Sequence, residues 1–333
     1  MTDVAELAGV SVMTVSRVLS DHPSVSNRAR EKVLAAVAHL RYQPNELARS
    51  LREKRSRQVG ILVPYLYDPF FAACAHAVST VAQQHSYSVV LSTSNEDPKA
   101  EFDEANRMLR RNIEGLVVIP ARLGKSRSLL LSSEFQDLPI VALDRPIEGS
   151  RFDALVVENE RGARAGTEHL LCLGHKRILF IGLSKDLYTM RMRERGYRKG
   201  MQAAGLTPQT AEMSEDIENT RSTIRQLLAG KSKPTALFCA NNLLTRHVLH
   251  SLQSMNIYPP ETLALVGFDD FDTADLLRPG VTTVRQPVEA LGRTAAEMLF
   301  ERLISGPSAV ERPSKQIVLP VDLVIRGSCG AKI

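Results

Sequence analysis

The chain has 333 residues, 44% of them hydrophobic and 24% charged, with 42 Lys and Arg against 37 Asp and Glu for a formal net charge of +5. That length is enough for several packed units, and no run of about eighteen apolar residues is present to span a membrane. Four scattered cysteines (Cys74, Cys172, Cys239, Cys329) lack CxxC or metal-type spacing, which points to reduced thiols and no metal centre.

Residues 1–20 read as two short helices meeting at a glycine. Thr2 is placed to cap the first, and Asp3 carries its charge at the helix N-terminus. Val4, Leu7 and Ala8 recur at i, i+3 and i+4, giving an inward face. Gly9 suits the backbone that ends the helix, and Ser11 is the cap of the second. Val15, Val18 and Leu19 bury that second helix, leaving Val12, Met13, Ser16 and Arg17 on its outer face. Thr14 serves a phosphate or the packing. This is the layout of a helix-turn-helix, whose second helix enters the DNA major groove. A plain helical hairpin with a solvated polar face has the same spacing.

Ser26 caps a third helix running to about Leu40, with Ala29, Val33, Val37 and Leu40 on one side. Pro44 breaks it. Asn45 is then the cap of a short helix, Glu46 to Leu51, whose apolar face is Leu47, Ala48 and Leu51. Residues 52–57 (Arg-Glu-Lys-Arg-Ser-Arg) form a charged linker that cannot pack as a core. Residues 1–57 hold ten Lys and Arg against six acids, so nearly all the chain's excess charge lies there. A basic module on a nearly neutral body suits a polyanion partner.

The segments Asp3-Val4-Ala5, Ala8-Gly9-Val10-Ser11, Thr14-Val15-Ser16-Arg17-Val18-Leu19, Val25-Ser26, Arg30-Glu31-Lys32-Val33 and Tyr42-Gln43-Pro44-Asn45 closely resemble the DNA-binding head of the lactose/galactose-repressor (LacI/GalR) family. The match is ordered, spans about fifty residues, and the similarity continues through the body. The resemblance implies a homodimer in which each head reads half of a pseudo-palindromic operator. It implies a DNA-contacting set of Thr2, Ser11, Val12, Met13, Thr14, Ser16, Arg17, Ser26, Asn45, Ala48, Leu51 and Lys54. Leu51 is the expected minor-groove wedge, since an apolar wedge unstacks a base step and kinks the duplex. Two departures are visible. Family members mostly begin a few residues earlier, so phosphate contacts from an N-terminal arm are in question. Where the family often has Gly, this chain has Arg41, at a position that ends the third helix and tends to need positive φ.

From about Gln58 onward, strand and helix patterns alternate. Strands are expected at 59–64, 87–92, 115–119, 139–143, 177–182, 236–239 and 264–268. Helices are expected at 72–85, 99–112, 161–173, 194–204, 241–255 and 288–304. Short apolar strands between helices predict parallel sheets covered on both faces. The fold class is therefore an all-α helix-turn-helix head plus an α/β body of two doubly wound lobes, which the resemblance identifies as periplasmic-binding-protein-like. The expected partition is 1–43 for the head, 44–57 for hinge helix and linker, and 58–333 for the ligand-binding and dimerisation body. Within the body the first lobe takes about 58–158 and 288–316, and the second about 159–287 and 317–333.

Ligands of such folds bind at the carboxyl ends of the strands. The loops there carry Asp68, Phe70 and Phe71 after the first strand, and Asp144 and Arg145 after the fourth. A stretch read as flexible holds Thr189, Arg191 and Arg193. Asn241 follows Cys239, and Asp269 follows Phe268. A carboxylate beside aromatic rings can bind sugar hydroxyls while a ring stacks on the apolar face. The resemblance makes these ten residues an effector site between two lobes. It departs from the family in having Asn242 where an acid is common. The run of Arg145, Arg191 and Arg193 hints at an acidic sugar, because guanidinium pairs bidentately with carboxylate or phosphate. Phe70 and Phe71 as core, and Asp144 with Arg145 as a structural pair, remain open. His169 and His175 flank a loop and read as surface or packing residues.

These features predict a cytoplasmic, ligand-responsive operator-binding regulator, a repressor of carbohydrate-utilisation genes with no cofactor and no metal. Its effector is expected to be a sugar or sugar acid that shifts the population between DNA-binding and non-binding states. The start of the chain reads as a helix-turn-helix rather than a signal peptide. The lack of leucine heptads after Ile325 favours a dimer over a tetramer. The alternatives are a sugar-transport binding protein, opposed by the basic head, and an enzyme on a doubly wound fold, for which no catalytic pair is found. A regulator answering to a nucleobase or protein corepressor is a third.

Overall fold

A computed structural model describes residues 1–19, 22–42, 55–122, 128–230, 233–305 and 313–332. The chain divides into two compact units, Met1–Ser56 and Arg57–Ile333. The expected hinge residues Asn45 to Leu51, with Lys54, lie outside the described residues.

The first unit contains three described helices, α1 (Thr2–Ala8), α2 (Val12–Leu19) and α3 (Asn27–His39). They close on one small core of Val4, Ala5, Ala8, Val15, Val18, Val33 and Ala36, with Leu19 and Val37 packed beside it. Three expectations need correction. Thr2 does not cap α1, because the helix already includes it; Met1 is the cap residue and makes no side-chain capping bond. Leu7 is 52% exposed, because the buried face of α1 is centred on Val4, Ala5 and Ala8. Leu40 is exposed as well: α3 ends at His39, so Leu40 leaves the helical face that Val33 and Ala36 bury.

In the second unit the described elements, in chain order, are β1 (Gln58–Val63), α4 (Pro69–Gln84), β2 (Ser88–Thr93), α5 (Pro98–Arg110), β3 (Gly115–Val118), β4 (Ile140–Leu143), β5 (Asp153–Val157), α6 (Asn159–Cys172), β6 (Ile178–Gly182), α7 (Tyr188–Ala203), β7 (Gln209–Glu212), α8 (Ile217–Ala229), β8 (Ala236–Cys239), α9 (Asn242–Gln253), β9 (Ala264–Phe268), β10 (Thr282–Arg285), α10 (Val288–Ser305), β11 (Gln316–Leu319) and β12 (Asp322–Val324). Two six-stranded sheets form, ordered β11-β5-β4-β3-β1-β2 and β12-β10-β9-β8-β6-β7. Every pairing is parallel except β10 with β12. Strands β3, β4, β5, β6, β8 and β9 are buried at every position, as apolar strands covered by helices on both faces are; in β5 the one charged residue, Asp153, is paired with Arg302.

The chain passes between the sheets three times: after β5, after β10, and between β11 and β12. The last crossing falls at Pro320–Val321, so the expected lobe boundary at 316/317 lies inside strand β11. Close helix packing explains two glycines. A Cβ on Gly292 in α10 would sit 2.6 Å from Ala77 Cβ and from the Cys74 carbonyl of α4, and one on Gly196 in α7 would strike the Glu160 carbonyl of α6. His169 and His175 are packing residues, 3.2 Å from Cys329 Sγ and Thr235 Oγ1 respectively. Among the described residues, no helix is long and apolar enough to cross a membrane.

Candidate functional site

Two places carry the chemistry, one in each unit. In the first, Gly9 adopts φ 63° and turns the chain from α1 into α2. Ser11 Oγ accepts from the Thr14 backbone N–H at 3.2 Å and lies 2.9 Å from Thr14 Oγ1. Both hydroxyls are thus tied to starting α2. Ser26 caps α3, its side chain accepting from Ala29 N. Val15 and Val18 face the core, while Val12 and Met13 are 44% and 65% exposed and Arg17 is exposed beside them. The outer face of α2 is therefore the one expected from the spacing. Arg41 has φ 45°, the left-handed conformation its position calls for.

In the second unit a cleft opens where the carboxyl ends of the strands of both sheets meet. Tyr65, Asp68, Phe70, Phe71, Glu96, Asp144 and Arg145 line it from the first sheet. Leu187, Thr189, Met190, Arg193, Glu215, Asn241, Asp269 and Gln286 line it from the second. The two sides touch directly. Asn242 Nδ2 donates to Asp68 Oδ1 at 3.1 Å, and Glu215 meets the Tyr65 hydroxyl and the Arg122 guanidinium, each at 3.4 Å.

Each polar group here is held by local structure. Asp68 caps α4 through Phe70 N, and Asn241 caps α9 through Leu244 N. Phe70 and Phe71 form an edge-to-face pair at 5.4 Å. Asp144 and Asp269 directly follow β4 and β9 with φ 67° and 68°, a strained backbone for a non-glycine residue at a strand end. Arg145 is buried and fully engaged: it contacts Asp144 Oδ2 at 3.3 Å, both oxygens of Glu96, and the Pro120 carbonyl. Arg193 donates to Asp269 Oδ2 at 3.0 Å, to Asn159 and to the Ala240 carbonyl, with its guanidinium carbon 3.8 Å from the Phe268 ring centre. Burial raises the carboxyl pKa of both Asp144 and Asp269, against the lowering pull of the arginines. Burial also pushes up the Tyr65 phenol, helped by Glu215 and Glu96, so it stays protonated as a donor.

Nine of the ten expected effector residues are gathered in the cleft. Arg191 is the exception. The stretch read as flexible is the first turns of α7, and one face of that helix turns Thr189, Met190 and Arg193 inward. Arg191 points away, to the Lys185 and Asp186 carbonyls and to Glu148 at 3.2 Å. The three arginines are therefore not gathered in one place. Five carboxylates (Asp68, Glu96, Asp144, Glu215, Asp269) face Arg145 and Arg193, with Arg122 reaching Glu215 from beside the cleft, and all three arginines are matched to carboxylates. Three buried acceptors at or beside the cleft have no hydrogen-bond partner: Asp144 Oδ1, Gln286 Oε1 and Asn242 Oδ1. Tyr65, Glu96, Glu215 and Gln286 were not singled out from sequence. Glu96 and Glu215 each lie three residues past an edge strand, so reading the loops after β2 and β7 was the available signal.

A helix-turn-helix unit joined to a two-lobed α/β body with a polar cleft defines a ligand-sensing DNA-binding regulator. Residues 1–45 match the bacterial regulatory proteins of the lacI family, and residues 167–329 match a periplasmic binding protein-like domain. The chain is 31% identical over 304 residues to the HTH-type transcriptional repressor PurR of Photobacterium profundum, covering 90% of this chain and 91% of that one. It is 30% identical to PurR of Haemophilus influenzae over 98% of this chain and 97% of the relative. A crystal structure of the Lac repressor dimer bound to operator and the anti-inducer ONPF superposes with a TM-score of 0.87 at 27% identity, covering 99% and 98% of the two chains. A CelR–cellobiose complex matches with a TM-score of 0.71 at 28% identity, over 98% of each chain. The chain belongs to the lacI family of bacterial regulatory proteins. It is a DNA-binding transcriptional regulator of a family of regulators, not of enzymes.

Proposed function

We propose that the protein is a cytoplasmic homodimeric repressor whose operator affinity is set by a neutral, polyhydroxylated molecule, a sugar, bound in the cleft. The observation that carries this is the acceptor-rich cleft. Its arginines are committed to Glu96, Asp144 and Asp269, while Asp144 Oδ1 and Gln286 Oε1 stand unpartnered. Sugar hydroxyls supply the missing donors, and the Phe70–Phe71 pair supplies an apolar wall. An anion would meet excess negative charge. The CelR–cellobiose complex and the Lac repressor support a sugar as the effector and a dimer as the assembly.

In this reading residues 1–43 read DNA and 44–57 form hinge and linker. The body from 58 onward senses ligand with two lobes, about 58–158 with 288–319 and about 159–287 with 322–333. A second reading, a purine effector, is favoured by the aromatic pair on which a base can stack.

A thermal-shift screen of neutral sugars, sugar acids, phosphosugars and purines decides between them. A ligand at 100 times its Kd stabilises the folded chain by about 2.7 kcal/mol. Stabilisation by neutral sugars alone supports the proposal. Stabilisation by purines alone selects the second reading, and a response confined to acids or phosphosugars overturns both.

A further inference from the structure

The outer face of α2 is unusual for a surface that meets a polyanion: its leading residues are apolar. Val12 and Met13 are 44% and 65% exposed, on the first turn of the helix, while the core needs of α2 are met by Val15 and Val18. Neither residue belongs to the small core described for this unit. The hydroxyls that could flank them, Ser11 and Thr14, are tied to each other in the cap. The first residues of a second helix in this motif are the ones that face base edges. Neither side chain has a donor for N7 or O6, and the Met13 thioether is only a weak acceptor for the N6 or N4 amino groups of the major groove. The groove's one apolar feature is the 5-methyl group of thymine.

We propose that Val12 and Met13 form an apolar reading tip selecting 5-methyl pyrimidines in each operator half-site, so that the protein discriminates thymine from uracil, and 5-methylcytosine from cytosine, by the methyl group alone. The inference rests on the DNA-reading role of α2. It predicts a half-site in which at least one contacted base pair is specified by the methyl and not by a hydrogen-bond pattern. Met13, unbranched and flexible, reaches furthest; Val12, stiff at its Cβ, sets the edge of the apolar tip.

The test starts from the full-length protein and a library of random DNA duplexes. Selection yields a preferred site, and each thymine in it is then replaced singly by deoxyuridine, which removes only the methyl. Loss of one buried methyl lowers affinity by about fourfold. That loss is expected at one or two thymines per half-site and at no others. Cytosine at those positions binds weakly, and 5-methylcytosine recovers part of the loss. In Val12→Ser and Met13→Gln proteins the uracil penalty vanishes at the matching position. A library that yields no preferred site overturns the DNA-reading role itself. A clear site at which every uracil substitution is silent, or at which the penalty persists in both variants, overturns the methyl reading and leaves DNA recognition intact.

Discussion

The two lobes of the body are built to the same plan, yet they present their key carboxylates differently. Both sheets have the same strand order, and in each the fourth strand in chain order, β4 or β9, is directly followed by an aspartate with positive φ. Asp144 N and Asp269 N even make the same bond, to Leu155 O and Val284 O of the adjacent strand. Asp269 is fully occupied: Arg193 takes one oxygen and the Gln286 amide the other. Asp144 shares Arg145 with Glu96 and keeps Oδ1 unpartnered. The strand-end carboxylate of the second lobe is thus fully matched, whereas that of the first holds an acceptor in reserve. A buried acceptor without a partner costs stability, so its retention is explained most simply by a ligand donor that satisfies it.

Breaking the match at Asp269 has the largest effect. Arg193→Ala leaves Asp269 buried without its counter-charge, and removal of one partner of a buried pair costs about 3–5 kcal/mol. Chemical denaturation of the variant measures that loss, and a cost below about 1 kcal/mol would show that Gln286 alone supports Asp269.

The next difference lies behind the carboxylates. Helices α5 and α8 follow equivalent edge strands and are capped by Asp97 and Asp216. Four residues past the cap, the first lobe buries Glu101 and the second buries Thr220, which is satisfied by the Asp216 carbonyl. Burial lifts the Glu101 pKa to about 7 from 4.5, against the lowering pull of the Ala121 N–H and Arg145. Below pH 4.5 the carboxyl is protonated in folded and unfolded chains alike. Between there and 7 only the unfolded chain ionises, so stability falls as pH rises, and above 7 the loss is complete. Glu101→Gln removes that loss, so the variant is more stable than the parent at pH 8, by at most about 3 kcal/mol, and equal to it near pH 4. Melting curves across that range check the sign.

How far the lobes were legible in sequence follows from the same physics. Strands with unbroken apolar runs, such as Ala236–Cys239 and Ala264–Phe268, were read to the residue because both faces are buried. Gln209–Glu212 and Asp322–Val324 lack that signature because they carry polar residues at sheet edges, and the interior Asp153–Val157 and Thr282–Arg285 were missed as well, because Asp153 and the Thr282–Thr283 pair interrupt their apolar pattern. Helix α8 was passed over although Asp216, Thr220 and Ile224 give it a cap and a buried face. In the cleft, Asp144, Arg193 and Asp269 were legible from the strand-end rule. Glu215 and Gln286 were hidden because the strands before them went unread. The outer face of α2 was clear from its period, while Leu7 and Leu40 misled because a two-turn helix and a helix end define their faces poorly.

Asp144→Asn tests the reserve acceptor itself. Glu96 still holds Arg145 at both oxygens, so the stability cost stays near about 1 kcal/mol, while a donor from the ligand loses a charged acceptor and affinity falls by about tenfold or more. The corresponding Asp269→Asn protein reverses the balance, with stability dropping more than the cleft's selectivity. Equal losses in both variants would mean that the lobes are functionally equivalent and that the open Oδ1 has no bearing on binding.

The smallest effect is expected where the sequence suggested a larger one. Arg191 lies on the same helix as Arg193, two residues away, yet it stands outside the cleft and pairs with the exposed Glu148. An exposed pair of this kind contributes about 0–1 kcal/mol. The Arg191–Glu148 contact does join the two lobes, so its loss can ease their separation without touching the ligand. Arg191→Ala should therefore leave effector affinity by calorimetry within about twofold, a shift of less than about 0.5 kcal/mol. A tenfold loss would put Arg191 in the site after all and would restore the case for an anionic effector, since only a guanidinium without a cleft carboxylate has charge to spare.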